Sequence, residues 1–120
     1  MRLIRTGLGT ATLTTNRNVL IKSAQDALDL FSDAVYEGCN NFIVYKENLS
    51  EDFFDLKTGL AGEILQKFSN YRMRLAIIGD FSKYKSKSLE AFIIESNRGN
   101  QTFFVSSVEE ALKALGLEKG

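Results

Sequence analysis

Histidine is absent from this 120-residue chain, and cysteine occurs once, at Cys39. Without an imidazole, the chain can form no Ser-His-Asp triad, no phosphohistidine and no His-containing zinc site. A single thiol also excludes an intramolecular disulfide and a Cys-x-x-Cys pair. We expect Cys39 to be a small packed residue, because no histidine is present to activate it. Chemistry would therefore have to come from carboxylates, Lys, Thr, Ser or Tyr.

An excess of charge of one sign is also lacking, since 15 Lys and Arg balance 15 Asp and Glu. This balance argues against a surface that coats nucleic acid or a membrane with bulk charge. No run approaches the roughly 20 apolar residues of a membrane span. The residues after Arg2 and Arg5 lack the apolar stretch of a secretory signal. We therefore expect a cytoplasmic protein, consistent with a lone thiol, that binds neither nucleic acid nor membrane.

What the chain does contain is an alternation of strand and helix patterns within a length that suits a single domain over residues 1–120. Short β patterns at 2–5, 11–15 and 18–22 predict an antiparallel hairpin or meander, and apolar runs at 41–45, 74–79 and 102–105 predict buried strands. Serine caps predict helices that start at Ser23, Ser50, Ser86 or Ser88, and Ser107. The helical region at 51–69 contains a break near Thr58.

The order of these elements predicts an α/β domain. Strands that alternate with helices form parallel crossovers, and the N-terminal strands add an antiparallel edge. We expect a mixed, mostly parallel sheet with about four helices.

One loop of this fold has the composition of an anion site. Ligands of an open parallel sheet bind beyond the carboxyl ends of the strands, where helix N-termini converge. The loop after the strand at 74–79 combines three lysines with three serines next to a helix start: Asp80, Ser82, Lys83, Tyr84, Lys85, Ser86, Lys87 and Ser88. These groups suit a phosphate, and the alternative interpretation is a solvated, capped loop.

Other polar groups form no recognisable catalytic or metal site. Residues 57–59 (KTG) lack the preceding glycines of a nucleotide-hydrolysing phosphate loop. Asp52, Asp55 and Glu63 are spaced so that their carboxylates need not converge. The basic cluster at 67–74 is explained by the preference of helix C-termini for cations. We expect no catalytic residue, no metal and no cofactor.

Several segments are specific enough to indicate a family. Residues 53–71 (FFDLKTGLAGEILQKFSNY), 76–84 (AIIGDFSKY), 86–89 (SKSL) and 104–107 (FVSS) resemble the bacterial family of domain of unknown function 4180. The resemblance covers about residues 25–115. That family has no established activity, so the resemblance bears on fold more than on function.

A more distant similarity is to the STAS domain, the fold of anti-sigma factor antagonists. In those proteins a buried strand leads into an Asp-Ser-Ser-Gly loop, and a partner kinase phosphorylates one serine. The corresponding loop here holds Asp55, Lys57, Thr58 and Gly59, and the phosphorylated serine falls on Lys57 or Thr58, depending on the register. The resemblance implies a STAS-like fold whose partner docks on this loop and the helix after it.

Two functions follow as hypotheses. The first is a non-enzymatic protein-interaction or regulatory module, with Thr58 as a candidate phosphorylation site. The second is a binder of a small molecule or phosphate-bearing ligand, or an unrecognised enzyme, in which Lys57 and Thr58 join the loop at 80–88 around one pocket. Nine phenylalanines also suit a homodimer formed through an exposed apolar patch.

Overall fold

The computed structural model describes residues 1–119, which form four α-helices and one five-stranded sheet. In chain order the elements are β1 (Arg2–Thr6), β2 (Gly9–Leu13), α1 (Ala24–Tyr36), β3 (Asn41–Tyr45), α2 (Leu60–Asn70), β4 (Arg74–Ile78), α3 (Lys87–Arg98), β5 (Thr102–Val105) and α4 (Val108–Ala114). Three 3₁₀ turns, Lys46–Asn48, Glu51–Phe54 and Leu56–Thr58, connect β3 to α2. Within residues 1–119, every helix is too short or too polar to cross a membrane.

The strands lie in the sheet in chain order, from β1 to β5. β1 and β2 form an antiparallel hairpin in which Ile4 lies opposite Ala11, whereas the pairings from β2 to β5 are parallel. Each parallel pair is connected through a helix, as expected for crossovers of this kind. The predicted fold class, an α/β domain with a mixed, mostly parallel sheet and N-terminal antiparallel strands, is confirmed.

Both faces of the sheet are buried. Helices α1, α2 and α3 cover one face, where the rings of Phe31, Phe42 and Phe68 have centroids 4.3 to 6.2 Å apart. Helix α4 covers the other face, where Leu112 packs in one cluster with Ile43 of β3. Burial on both faces explains why the central strands are continuous apolar runs rather than alternating patterns.

Serine side chains cap three of the helices at the predicted positions. The hydroxyls of Ser23, Ser86 and Ser107 each accept a hydrogen bond from the amide three residues on, at 3.1, 3.2 and 3.1 Å. Of the two candidate caps of α3, Ser86 is the N-cap, and Ser88 lies inside the helix. Each cap satisfies one of the free amides in the first helical turn.

Two predicted elements differ from the structure. The third N-terminal strand, predicted at 18–22, is wrong, because only an isolated bridge between Ile21 and Leu49 forms there. The helical region predicted at 51–69 becomes a true α-helix only at Leu60, after the 3₁₀ turns. The predicted break is confirmed at Thr58 and Gly59, where Gly59 has a left-handed φ of 78° that glycine adopts without strain.

Candidate functional site

The loops that follow β3 and β4 meet at the carboxyl edge of the sheet. The carboxylate of Glu51 reaches across, with Oε1 at 3.4 Å from Nζ of Lys83 and Oε2 accepting from the Tyr84 hydroxyl at 3.0 Å. Nζ of Lys46 donates to the carbonyl oxygen of Asp80 at 3.3 Å. Both partners of the Glu51–Lys83 pair are exposed, so the pair contributes little stability by itself.

Tyr84 is the aromatic centre of this edge. Its ring stacks on Phe54 with centroids 5.0 Å apart and planes inclined by 18°, and Nζ of Lys83 lies 5.0 Å from the ring centroid. Desolvation raises the pKa of Tyr84 well above its ordinary value, and the hydrogen bond to the Glu51 carboxylate raises it further. The phenol is therefore held in its neutral form, as a hydrogen-bond donor to Glu51.

The turn after β4 is fixed by Asp80 and Gly79. Oδ1 of Asp80 accepts from the Ser82 amide at 3.0 Å. Hydrogen bonds from Ser82, followed by the charge of Lys46, lower the pKa of Asp80. A Cβ on Gly79 would lie 2.7 Å from Cβ of Lys46, so only glycine lets the two loops approach this closely.

The lysines of the predicted anion loop have three different environments. Lys83 is engaged by Glu51, and Nζ of Lys85 donates to the Ser82 carbonyl at 3.4 Å. Lys85, Lys87 and Glu90 are the charged residues that line a cavity of about 570 Å³ between the loop and α3, which we call the lysine-loop cavity. Its apolar lining is provided by Phe81, Leu89, Ile93 and Ile94. Charge and apolar surface are therefore adjacent there.

The predicted docking loop at 55–59 is held by its own hydrogen bonds. The exposed Thr58 hydroxyl contacts the carbonyl oxygens of Asp52 at 2.6 Å and Asp55 at 2.9 Å, and it accepts from the Leu60 amide at 3.2 Å. Among residues 1–119, no hydrogen bond or ion pair joins Thr58 or Lys57 to the loop at 80–88, and neither residue lines the lysine-loop cavity. The contacts with the loop at 80–88 come instead from earlier residues of the connection between β3 and α2, namely Lys46, Glu51 and Phe54.

A groove between α1 and α2 was not predicted from the sequence. Two cavities of about 580 and 420 Å³ share Gln25. The first lies between the N-terminal end of α1 and residues 62–67 of α2, and the second follows α1 to its C-terminal end, where Tyr71 and Met73 after α2 line it. We call this surface the α1–α2 groove; the residues that define it are Ala24, Gln25, Leu28, Tyr36, Gly62 and Tyr71. Tyr36 is 92% exposed and Tyr71 is 57% exposed. Both tyrosines lie at helix ends, outside the apolar spacing from which the buried faces of α1 and α2 are predicted, so no signal in the sequence indicates them.

Sequence reasoning also missed Asn48, whose fully buried side chain holds the chain between β2 and α1. Its Oδ1 accepts from the Thr14 hydroxyl at 2.7 Å and from the Tyr45 amide at 2.8 Å. Its Nδ2 donates to the carbonyl oxygens of Asn16 and Asn18 at 2.9 and 2.8 Å. These bonds keep residues 14–18 in a loop rather than a strand.

Arg74, part of the predicted basic cluster, has a structural role. Its guanidinium donates to the carbonyl oxygens of Asn100 and Leu115, both at 2.9 Å, and it also contacts the Asn41 and Asn100 side chains. Partial burial lowers the pKa of Arg74 from its ordinary value. The side chain thereby ties β4 to the chain before β5 and to the end of α4.

The comparisons with known proteins bear on the family alone. No curated protein and no solved structure matches the chain. One family model matches residues 9–115, and its description is Domain of unknown function (DUF4180). The match extends from β2 to the end of α4, which includes both loops and the α1–α2 groove. The chain therefore belongs to the DUF4180 family.

Proposed function

We propose that this domain is a non-enzymatic protein-interaction module that binds a helix of a partner protein in the α1–α2 groove. In this proposal the loop at 55–59, which directly precedes α2, extends the docking surface beyond the residues that line the groove. Docking on this loop and on α2 is also what the resemblance to anti-sigma factor antagonists implies.

The observation that carries the proposal is the pair of exposed tyrosines at the C-terminal end of the groove. Tyr36 and Tyr71 line the same cavity as the apolar side chains of Leu28, Val35 and Met73. Tyrosine is enriched at protein interfaces because its ring packs against apolar groups while its hydroxyl stays hydrated. An amphipathic helix would place its apolar stripe along such a groove.

Acidic groups beside the groove define the charge of the partner helix. Asp29 lines the cavity of about 420 Å³, and Glu63 lines the cavity of about 580 Å³. Lys67 is the single basic residue of the two linings. A partner helix with Lys or Arg flanking its apolar stripe would complement this charge.

Phosphorylation of Thr58 would regulate docking in this proposal. A kinase would form a bond between the Thr58 oxygen and the γ-phosphorus of ATP, with ADP leaving and the hydroxyl proton released. The proton that Thr58 now shares with the carbonyls of Asp52 and Asp55 would be lost. About two negative charges would arise beside the Asp55 carboxylate, which would loosen the 3₁₀ turn at the groove's end.

The docking test uses photo-crosslinking in the native host. A benzophenone amino acid at position 36 is expected to crosslink a partner that mass spectrometry identifies, and the same amino acid at position 94, an exposed isoleucine of α3 outside the groove, should not. The purified partner should then bind the double variant Tyr36→Ala, Tyr71→Ala at least about tenfold more weakly than wild type. Equal binding to that variant, or crosslinking at position 94 alone, would refute the groove.

The regulatory part is tested separately. Mass spectrometry of chain isolated from its host across growth conditions should detect phosphate on Thr58, and Thr58→Glu should weaken partner binding while Thr58→Ser preserves it. Absence of phosphate under all conditions would remove the switch and leave the docking proposal standing.

A second function, binding of a phosphate-bearing small molecule, is supported by the lysine-loop cavity. Lys85 and Lys87 lie beside the apolar lining of Ile93 and Ile94, which suits a phosphomonoester with an apolar body. Phenyl phosphate should then raise the melting temperature more than phenol or inorganic phosphate does. The double variant Lys85→Ala, Lys87→Ala should abolish this increase and Lys83→Ala, outside the cavity, should not; equal shifts for all variants would refute the site.

A further inference from the structure

The two edges of the sheet differ in their backbone hydrogen bonding. At the β5 edge, the side chain of Asn97 pairs with both backbone groups of Phe104: Oδ1 accepts from the amide at 2.7 Å and Nδ2 donates to the carbonyl at 3.2 Å. At the other edge, β1 pairs only with β2 among residues 1–119. Alternate residues of β1 therefore point their N–H and C=O groups away from the sheet. The β5 edge is therefore blocked at Phe104, whereas the outer edge of β1 is free among residues 1–119.

The free edge carries apolar side chains and two unpaired cations. Leu3 is 44% exposed and Met1 is 54% exposed. Arg2 and Arg5 lie in the same strand, and neither forms an ion pair within the described part of the chain. Exposed strands of this kind pair with other strands, and charges along them restrict which pairings are allowed.

A small cavity beside β1 carries the complementary charge. About 290 Å³ in volume, it is lined by Leu3 and Arg5 of β1 and by Asp33 and Glu37 at the end of α1. Neither acidic residue forms an ion pair within residues 1–119. A basic side chain that entered over Leu3 would meet both carboxylates.

We propose that two copies of this chain associate through β1, which pairs antiparallel with β1 of the second copy about a two-fold axis at Ile4. The pairing joins the two five-stranded sheets into one sheet of ten strands. Because each copy contributes the same edge, and the β5 edge is closed by Asn97, assembly stops at the dimer rather than growing into a fibre. This surface is separate from the α1–α2 groove.

The charges of β1 exclude two of the neighbouring registers. With Ile4 on the axis, Ile4 lies opposite Ile4 of the second copy, Leu3 opposite its Arg5, and Arg2 opposite its Thr6. An axis at Arg2 or at Arg5 would instead place identical arginines opposite each other, which is unfavourable. Arg5 of the second copy, beside Leu3, lies at the mouth of the cavity that Asp33 and Glu37 line. The charge complementarity between Arg5 of the second copy and the carboxylates of Asp33 and Glu37 favours a second copy as the occupant.

A charge-exchange experiment tests the register. Sedimentation equilibrium of the full chain should give twice 13.4 kDa at high concentration. Leu3→Arg places two arginines opposite each other twice per dimer, so the dissociation constant should rise at least about tenfold. The double variant Leu3→Arg, Arg5→Glu sets arginine opposite glutamate and should restore most of the affinity.

The matched control is Ile94→Arg, because Ile94 is 44% exposed like Leu3 but lies on α3, which packs against β5 at the far edge. It should leave the dimer intact, and urea unfolding should show that all variants remain folded. A wild-type chain that stays monomeric at about millimolar concentration would overturn the proposal. A dimer that Ile94→Arg dissociates would overturn it too, as would a double variant no tighter than Leu3→Arg.

Discussion

Replacement of Asn48 by alanine should destabilise the fold more than any other polar-to-alanine change in this chain. The buried Asn48 amide makes four hydrogen bonds, and its loss leaves the Thr14 hydroxyl, the Tyr45 amide and the carbonyls of Asn16 and Asn18 without that partner. A net contribution of about 1 kcal/mol for each bond gives a loss of about 4 kcal/mol in the free energy of unfolding. That is a large fraction of the 5 to 15 kcal/mol typical of a domain, roughly a quarter or more.

Two further variants separate the hydrogen bonds from other effects. Thr14→Val removes only one of the four bonds, so its cost should be about 1 to 2 kcal/mol. Asn40→Ala changes an exposed asparagine directly before β3, the strand that leads to Asn48, and its cost should stay within about 0.5 kcal/mol. The expected order of stability loss is therefore Asn48→Ala, then Thr14→Val, then Asn40→Ala.

Urea unfolding at 25 °C, followed by far-ultraviolet circular dichroism, measures these free energies. The slope of the free energy against urea must be the same for all variants if the comparison is to hold. If Asn48→Ala costs less than about 1 kcal/mol, or no more than Thr14→Val, the bonds at Asn48 do not determine the loop between β2 and α1.

Two other predictions concern the edge where the loops meet. The folded state raises the pKa of Tyr84, so the unfolded chain loses this proton first, and the free energy of unfolding should fall as the pH rises above about 10. In the Tyr84→Phe variant, the free energy of unfolding from urea titrations should fall less steeply between about pH 9 and 11. The same pH dependence as wild type would contradict a raised pKa at Tyr84. Gly79→Ala should lower the free energy of unfolding in urea by about 1 to 3 kcal/mol, because its Cβ would clash with Lys46. Gly62→Ala in α2, where no atom lies within 4 Å of the added Cβ, should raise it by about 0.5 to 1 kcal/mol. Equal effects of the two substitutions would refute the clash at Gly79.

The parts of the fold that the sequence predicted are those set by local interactions. A serine cap needs only an amide three residues on, so the starts of α1, α3 and α4 could be predicted at Ser23, Ser86 and Ser107. The crossover rule then fixed the direction of the parallel strands. The strand predicted at 18–22 failed because Asn48, 30 residues from Asn18, holds that segment in a loop. Nothing within the segment itself signals this contact.

In the candidate site, too, local features could be predicted and contacts between distant residues could not. The loop at 80–88 could be placed at the carboxyl edge of the sheet, since that position follows from the strand before it and the cap at Ser86. The partners of its side chains could not be predicted, because Lys83 and Tyr84 contact Glu51 across 32 and 33 residues of sequence. Glu51 has the acidic character of any first helical turn, so its pattern in the sequence does not distinguish it.

The residues that suggested chemistry in the sequence are largely occupied by contacts within the fold. Thr58 contacts two carbonyl oxygens, Lys83 and Tyr84 both contact Glu51, and Arg74 ties three segments together. The exposed groups that remain are of another kind: tyrosines at the helix ends and the leucine and arginines of a free strand. Contact with another polypeptide lowers the free energy of exposed rings and strand edges of this sort. These exposed groups are the ones on which the proposed docking in the α1–α2 groove and the proposed pairing of β1 depend.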